Sequence, residues 1–481
     1  MSITGGLSLS IGASVVALTA GVLSTLNPGI SVVVTAVVVS TLVAALLPLS
    51  ALVAVFAALL PIWSIGTLSP LAFDGARLGL AVAIFLKARR ASRQTWSSSS
   101  RQTALVLGAT GLVLVVAGAF RPDPIGLTMG YTIVLAVATA WMALSRIDQP
   151  WQLLGGYLVG VTTSAVVLIL HGVGFTTLTP LADAGINRLS GLSSSAPLVG
   201  FELAIGIVVA VVGIGNRKYR LLLALAVLTC LTALLMSGGR GGVAALGIAL
   251  LVAVRWRWVK LMPAAFATIL GWGVVSTILD SGRTINMFAR FLGTGEIRSD
   301  ATSGRVDLFD ASLRAIAQDP ILGTGLFQFL GQQYGNGLTP HFALFTFYVA
   351  GGICAGLLVF SMLGFIIHRL MFKSPRPFGA AGRASYLVLA ALLTMALTEP
   401  NGPFVGTQTT TLLLLVIGMT ARPRTGPDEK HHGNTVAVVS AAIAPSTGES
   451  ARGARNEHTT FGGARTGRAT SVRSTVFPEV S

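Results

Sequence analysis

The chain has 481 residues; 53% are hydrophobic, only 10% are Asp, Glu, Lys or Arg, and the mean hydropathy is +0.78. Soluble globular proteins carry about 25% charged residues, so this chain has too few charges to cover a water-facing surface, which excludes an ordinary soluble enzyme. The net charge of +16 lies mostly in short loops and in the C-terminal tail, and this distribution argues against a nucleic-acid partner. The two cysteines, Cys230 and Cys354, lie inside apolar runs, which predicts neither a disulfide nor a metal site; no cofactor is expected.

Long apolar runs predict membrane-spanning helices, because lipid offers no hydrogen bonds to an unpaired backbone. We expect an all-α, polytopic helical bundle of about 12 to 14 spans over residues 1–420. Pro48 and Pro61 could mark a hairpin or a broken helix among the first four spans. The predicted spans begin near Leu7, Ile30, Leu49, Pro70, Thr103, Gly126, Trp151, Ala196, Tyr219, Gly241, Val259, His341, Arg383 and Phe404.

Positive charges cluster in alternate loops, with Lys87 and Arg217 in two of them and few cations in the loops between. Because positive loops stay in the cytoplasm, this pattern predicts an inner-membrane protein with both termini cytoplasmic. The long inter-helix loop, residues 280–340, is then extracytoplasmic. Residues 421–481 are rich in Gly, Ser, Thr, Arg and Pro and predict a disordered, basic cytoplasmic tail whose arginines could touch anionic membrane lipids.

The long loop contains one predicted helix, which Thr302 or Ser303 could cap and which ends near Gln318, before Asp319-Pro320. Arg305 lies in its first turn, where the helix dipole favours an anion, so a bound phosphate would suit this arginine; pairing with an acidic neighbour is the alternative. The helix is amphipathic, lying on the membrane or across the mouth of the bundle. Its predicted apolar face is Val306, Phe309, Leu313 and Ile316.

A second arginine, Arg240, lies in the glycine-rich segment Ser237–Gly242 between two predicted spans. Glycines can expose successive N–H groups to an anion and a guanidinium matches phosphate oxygens, although a tight turn between helices would need the same glycines. His341 opens the span after the long loop, where it could accept a proton from a sugar hydroxyl or simply cap the helix.

Four further polar residues need an interpretation, which is functional for some and structural for others. Arg188, in an earlier outward loop, could contact glycan or phosphate, and Glu399, at the outer end of a span, could bind sugar hydroxyls or merely end a helix before Pro400. Asp74 and Arg77 are three residues apart in a predicted span, which favours a structural ion pair on one helix face.

The order of these features resembles the O-antigen ligase/O-antigen polymerase superfamily over roughly residues 219–420. The matching features are the glycine-rich turn with Arg240, the outward loop with Ser303-Gly304-Arg305, the stretch Pro320–Gly325 and His341 at the head of a span. The family histidine is commonly followed by asparagine, where this chain has Phe342.

The resemblance implies a GT-C-like fold and a metal-independent, inverting glycosyltransferase that uses a polyprenyl-diphosphate-linked glycan as donor. By position, Arg240 and Arg305 would hold the diphosphate and His341 would activate the acceptor hydroxyl. Glycan or lipid acceptors both fit, so ligase and polymerase are not separable from the sequence.

Two other classes of protein compete with the enzyme. A flippase for lipid-linked oligosaccharides, or another multi-span transporter, should carry cations inside the spans along a cavity reachable from both faces. A structural protein of an envelope complex would have no reason to place Arg240, Arg305 and His341 at segment junctions on one side. The predicted location of these residues at the outer ends of the spans favours the enzyme.

Overall fold

The computed structural model describes residues 28–65, 70–87, 98–144, 150–175, 189–255, 305–331, 339–340, 342–372, 379–400, 402–404 and 406–421. These residues lie in the first of two compact units, Met1–Val438. The second unit, Val439–Ser481, lies outside the described residues, as does nearly all of the predicted tail. The predicted spans near Leu7 and Val259 also lie outside them.

The regular structure of the described residues is helical, which confirms the all-α prediction. Short 3-10 turns occur at Arg217–Tyr219 and Gly402–Phe404. The α-helices are α1 Pro28–Leu46, α2 Leu49–Leu59, α3 Pro70–Lys87, α4 Ser98–Phe120, α5 Pro124–Leu144, α6 Pro150–Gly172, α7 Ala196–Gly213, α8 Arg220–Met236, α9 Arg240–Arg255, α10 Arg305–Gln318, α11 Leu326–Gly331, α12 Ala343–Phe372, α13 Gly379–Thr398 and α14 Thr407–Ala421.

Seven of these helices are long and apolar enough to cross a membrane, and four shorter apolar helices accompany them within the described residues. Large aliphatic side chains on α8 remain exposed in the folded chain, such as Leu221 at 74% and Leu222 at 65%. A water-facing surface of this kind would be strongly unfavourable, whereas lipid accommodates it. The chain is therefore a multi-pass membrane protein.

Helices α7 and α13 form the centre of the bundle, since 78% of the apolar stretch of each is buried, against 33% for α8. Helix α7 packs on α6, α8, α9 and α13, and α13 also packs on α9, α12 and α14. Ser195 caps the start of α7 by accepting a hydrogen bond from Leu198 N at 3.3 Å, and Pro197 follows in its first turn. The two central helices therefore fix where their neighbours begin and end.

The bundle has two ends, which we call the Arg240 end, where α9 begins, and the Lys87 end, where α3 ends. At the Lys87 end, Lys87 Nζ donates to the carbonyl of Leu47, and Arg369 Nε donates to Thr420 Oγ1 at 2.9 Å. The orientation of these ends in the membrane stays a prediction from the loop charges.

Helix α2 is only 11 residues long and ends at Leu59, two residues before Pro61, as the broken-helix alternative predicted. Beyond it the chain runs without a helix to Ile65, and Trp63 N donates to Leu192 O at 2.6 Å. The end of α2 thus lies inside the bundle, where its last carbonyls need partners from elsewhere.

Candidate functional site

Arg240 begins α9 directly after the turn Ser237–Gly239. Gly238 adopts φ +63°, and Ser237 Oγ accepts from Gly239 N at 3.2 Å, so this turn is locally well defined. The Arg240 side chain is half-buried, and its Nη2 is buried without a hydrogen-bond partner among the described residues. An unpartnered buried guanidinium nitrogen is costly and calls for a ligand. Because the positive end of the helix dipole lies at the same place, an anion is the complementary ligand.

The glycines around Arg240 serve helix packing, a role that neither of the two interpretations offered above had named. A Cβ on Gly242 would collide with the carbonyl oxygen of Gly200 and lie 2.9 Å from its Cα, and a Cβ on Gly239 would lie 3.2 Å from the same Cα. Glycines at these positions therefore let α7 and α9 touch through their backbones. The anion-binding capacity of the segment rests on Arg240 and the helix end.

Glu399 lies beside the start of α9. A Cβ on Gly241 would be 3.3 Å from Glu399 Oε1 and 2.7 Å from the Phe201 ring. Glu399 ends α13: its N–H donates to Met395 O at 2.9 Å, and its carbonyl accepts from Gly402 N at 3.3 Å. The backbone hydrogen bonds of Glu399 are thus those of a helix end, while its carboxylate lies next to the segment that carries Arg240.

The turn after Glu399 packs against the start of α12. A Cβ on Gly402 would lie 3.1 Å from the Ala343 Cβ, and the Phe347 and Phe404 rings pack edge to face with centroids 6.1 Å apart. The beginnings of α9 and α12 and the end of α13 therefore lie at one end of the bundle.

His341 lies outside the described residues, but the chain on both sides of it is held by the first turn of α12. Thr346 Oγ1 donates to Pro340 O at 3.0 Å, and Thr346 N donates to Phe342 O at 3.1 Å. Phe342, which replaces the common asparagine of the family, packs edge to face on Phe345 at 5.2 Å. At this position an aromatic contact stands where the family pattern has an amide.

Helix α10 begins at Arg305 and ends at Gln318, close to the predicted limits. On its predicted apolar face the helix leaves large side chains exposed, which agrees with the alternative of a helix lying on the membrane. Phe309 and Leu313 are each 47% exposed, although the Phe309 ring contacts Phe345 at 4.4 Å. Small residues allow a closer approach of the helix than Phe or Leu would, and this leaves the larger apolar side chains for lipid. The buried residues are Leu308, Ala311, Ser312 and Ala315.

Of the predicted site residues, Arg240 and Glu399 lie in neighbouring segments. Arg188, His341 and the side chain of Arg305 lie outside the described residues, so their approach to Arg240 stays a prediction. Within the described residues, no three His, Cys, Asp or Glu side chains are grouped so that they could hold a metal ion.

The predicted pair of Asp74 and Arg77 is confirmed. Arg77, 1% exposed, donates from Nη1 to Asp74 Oδ1 at 2.6 Å and to Thr407 Oγ1 at 3.0 Å. Its Nε donates to Leu59 O at 3.0 Å and its Nη2 to the carbonyl of Ile62. The arginine thus binds the last carbonyl of α2, the carbonyl of Ile62 beyond it and the Asp74 carboxylate, and these partners explain a charge inside the bundle.

Sequence reasoning did not single out Glu202. It is 3% exposed in the middle of the bundle, and neither carboxylate oxygen has a hydrogen-bond partner among the described residues. The hydroxyl of Tyr157, 2% exposed, has no partner there either, and the Ser193 hydroxyl and the Arg77 guanidinium lie in the neighbourhood of the Glu202 carboxylate. A lone Glu in the apolar run Ala196–Gly213 was a visible signal, because an ionisable residue inside a span is rare without a reason.

Residues 225–361 match a family model described as O-antigen ligase. The matched segment runs from α8 to the middle of α12 and contains Arg240, Arg305 and His341. No curated protein matches the chain. The family match confirms the resemblance found in the sequence: within this multi-pass membrane protein, residues 225–361 are similar to O-antigen ligases, and this similarity points to envelope polysaccharide synthesis.

Proposed function

We propose that this protein is a glycosyltransferase of the extracytoplasmic face, which transfers or polymerises a glycan from a polyprenyl-diphosphate carrier onto an acceptor hydroxyl. The observation that carries the proposal is Arg240, a cation with a buried nitrogen lacking a partner among the described residues, at the positive end of α9. A diphosphate has the charge and the oxygen geometry that such a guanidinium binds most strongly.

Arg305 is the second proposed diphosphate ligand. It is the first residue of α10, whose positive dipole end favours the same anion, and α10 is attached to α12 through the Phe309–Phe345 contact at 4.4 Å. Two guanidinium groups would stabilise the charge that develops on the diphosphate as the sugar departs. Neither arginine needs to form a covalent bond, because diphosphate is already a good leaving group.

His341 is the proposed base. The acceptor oxygen attacks the anomeric carbon from the side opposite the diphosphate, and the imidazole takes the hydroxyl proton as the new C–O bond forms. The bond between the anomeric carbon and the diphosphate oxygen breaks with its electron pair on that oxygen, which gives inversion and free polyprenyl diphosphate. A metal-independent reaction of this type follows from the family resemblance.

Substrate contacts beyond these three residues are proposed for Glu399 and Arg188. The Glu399 carboxylate, beside Gly241, could accept hydrogen bonds from sugar hydroxyls near the diphosphate. The polyprenyl chain would enter sideways from lipid, and α10 leaves apolar side chains exposed for that environment. The acceptor is a glycan or a lipid-anchored hydroxyl.

A flippase is the alternative, and Arg77 is the residue that would favour it, since this cation lies inside the spans. Its guanidinium, however, already donates to Asp74, Thr407 and the carbonyls of Leu59 and Ile62. These protein partners explain Arg77 without a transported anion. The balance therefore favours the transferase.

The proposal is tested by replacing Arg240, Arg305 and His341 separately with Ala and supplying purified protein in liposomes with a polyprenyl-diphosphate-linked glycan and an acceptor. We expect each change to lower the transfer rate by about 100-fold or more, since each removes charge stabilisation or proton transfer at the reacting centre. In cells, the glycan should accumulate on its carrier.

Matched controls are available on the same helices. Arg314 is an exposed arginine on α10, and His368 lies on α12, the helix that follows His341 in the chain, near the Lys87 end. Their alanine variants should retain normal transfer. Full activity of the Arg305 and His341 variants would refute the transferase. Movement of labelled lipid-linked sugar across the membranes of liposomes that contain the protein but no acceptor, without transfer, would support the flippase.

A further inference from the structure

The turn Arg121–Asp123, between α4 and α5, holds the far end of α10. Arg121 forms an ion pair with Asp319, the residue directly after α10, and donates to the carbonyl of Gly323. The two charged side chains are only 28% and 29% exposed. The end of the amphipathic helix is therefore attached to the bundle by the ion pair of Arg121 and Asp319, which we call the clasp.

Asp123 strengthens the same connection through the backbone. This carboxylate, 3% exposed, accepts from Leu326 N at 2.8 Å and Phe327 N at 3.2 Å in the first turn of α11. It also accepts from Ile125 N at 3.2 Å and Gly126 N at 3.0 Å in the first turn of α5. One buried side chain thus caps two helices that are about 200 residues apart in the chain.

The turn that follows α10 also forms hydrogen bonds with the backbone of α12 at a point where that helix is interrupted. Helix α12 departs from helical geometry at Gly351 and Gly352, the latter with φ +65°. The amides and carbonyls freed by this break bond to the turn: Ile353 N donates to Pro320 O at 3.0 Å, and Gly325 N donates to Val349 O at 2.9 Å. A Cβ on Gly352 would lie 2.7 Å from Leu322 N, so the fit admits only glycine.

We infer that Arg121 and Asp123 are positioning residues for the proposed transfer, because they fix the turn at the end of α10, the helix that begins at Arg305. Helix α10 extends from this turn to Arg305 over about 21 Å. A small rotation at the clasp would displace Arg305 by several ångströms. This inference rests on the proposed function.

A charge exchange tests the clasp. Arg121→Asp and Asp319→Arg each place like charges together, whereas the double variant restores an opposite pair. We expect each single change to lower the transfer rate about tenfold and to raise the KM for the lipid-linked donor. The double variant should recover most of the loss, although the bond to the Gly323 carbonyl is not restored. A pair that served only the stability of the protein would leave the KM of the single variants unchanged, so the double variant would have no loss in KM to recover.

Docking of α10 is measured separately from activity. Phe309→Cys with Phe345→Cys, made in a Cys354→Ser background, places two thiols where the rings now touch, and a short bis-maleimide reports their proximity. Crosslinking should fall in Arg121→Asp and return in the double variant. Arg314→Asp, on the exposed side of the same helix, is the control and should change neither readout.

The role of Asp123 is tested with Asp123→Asn and Asp123→Ala. Asn keeps one oxygen acceptor and should retain part of the donor affinity and crosslinking, while Ala should lose both. If the Asp123 and Arg121 variants match Arg314→Asp in both readouts while the Arg305 and His341 variants are inactive, the positioning inference fails and the transferase stands. If the Arg305 and His341 variants are active, the transferase itself fails.

Discussion

Gly242 on α9 lies directly against Gly200 on α7, so closely that a Cβ on Gly242 would overlap the Gly200 carbonyl. In lipid, where association of helices has no hydrophobic driving force, such backbone contact supplies much of the packing. It also fixes the position of Arg240 along the axis of the bundle. The glycine contact is therefore the support of the candidate site.

Gly242→Leu should separate α7 from α9 and lower both the amount of folded protein in the membrane and the transfer rate. The control is Gly247→Ala on the same helix, where a Cβ meets nothing within 4 Å. That change should stabilise by up to about 1 kcal/mol, because Ala is the better helix former. Membrane abundance and the apparent melting temperature in detergent report both effects. Equal behaviour of the two variants would contradict the packing role.

Replacing Arg77 by Met should destabilise the protein by about 3–5 kcal/mol, because the Asp74 carboxylate loses its opposite charge and the carbonyls of Leu59 and Ile62 lose a hydrogen bond inside the bundle. The double change Arg77→Met with Asp74→Leu should be milder, since it removes the stranded charge. Thermal unfolding in detergent gives both values. A double variant as unstable as the single one would show that the carbonyls, not the carboxylate, dominate.

Arg240→Ala should leave the apparent melting temperature unchanged or slightly higher, because Nη2 makes no hydrogen bond with the described residues and its burial is a cost. Farnesyl diphosphate, a short polyprenyl diphosphate, should raise the melting temperature of the unsubstituted protein by mass action, and this rise should vanish in the variant. Farnesol is the matched ligand without phosphate. An undiminished response of the variant to the diphosphate would remove Arg240 from the anion site.

Glu202→Gln should cost little stability, because neither carboxylate oxygen accepts a hydrogen bond in the described structure and the nearby Arg77 already has Asp74. Asp74→Asn is the contrasting change: it removes a charge that is paired at 2.6 Å and should destabilise strongly. The comparison uses apparent melting temperatures at the same pH. A larger loss for Glu202→Gln than for Asp74→Asn would reveal a partner for Glu202.

Helix limits were predictable because they depend on local chemistry. The predicted starts at Leu49, Pro70 and Ala196 coincide with observed helix starts, and α10 runs to Gln318 as predicted. Pro48, Pro61 and Pro320 mark positions where the N–H needed by a continuing helix is missing. Arg240 and Glu399 were predicted as site residues on local grounds too, since polar residues at span ends are conspicuous in an apolar chain, and their role in the site stays a prediction.

The buried side of α10 was not predictable from periodicity. Phe309 and Leu313 form the most apolar stripe, but lipid competes with protein for such side chains, so hydrophobicity does not decide which face packs. The packed face instead carries Ala311 and Ala315, which allow close approach. The clasp of Arg121 with Asp319 was equally hidden, because its members are 198 residues apart.

The sequence by itself determined that this chain is a helical, multi-pass membrane protein similar to O-antigen ligases, because hydropathy, prolines and the order of a few polar residues are local properties. Only the tertiary structure decided which polar groups meet across the bundle: Arg77 with Thr407, Glu399 with the start of α9, and Asp123 with the start of α11. The physical reason is that charged and polar groups inside a bilayer must find partners across the bundle. Those partners are set by helix packing and not by neighbours in the chain.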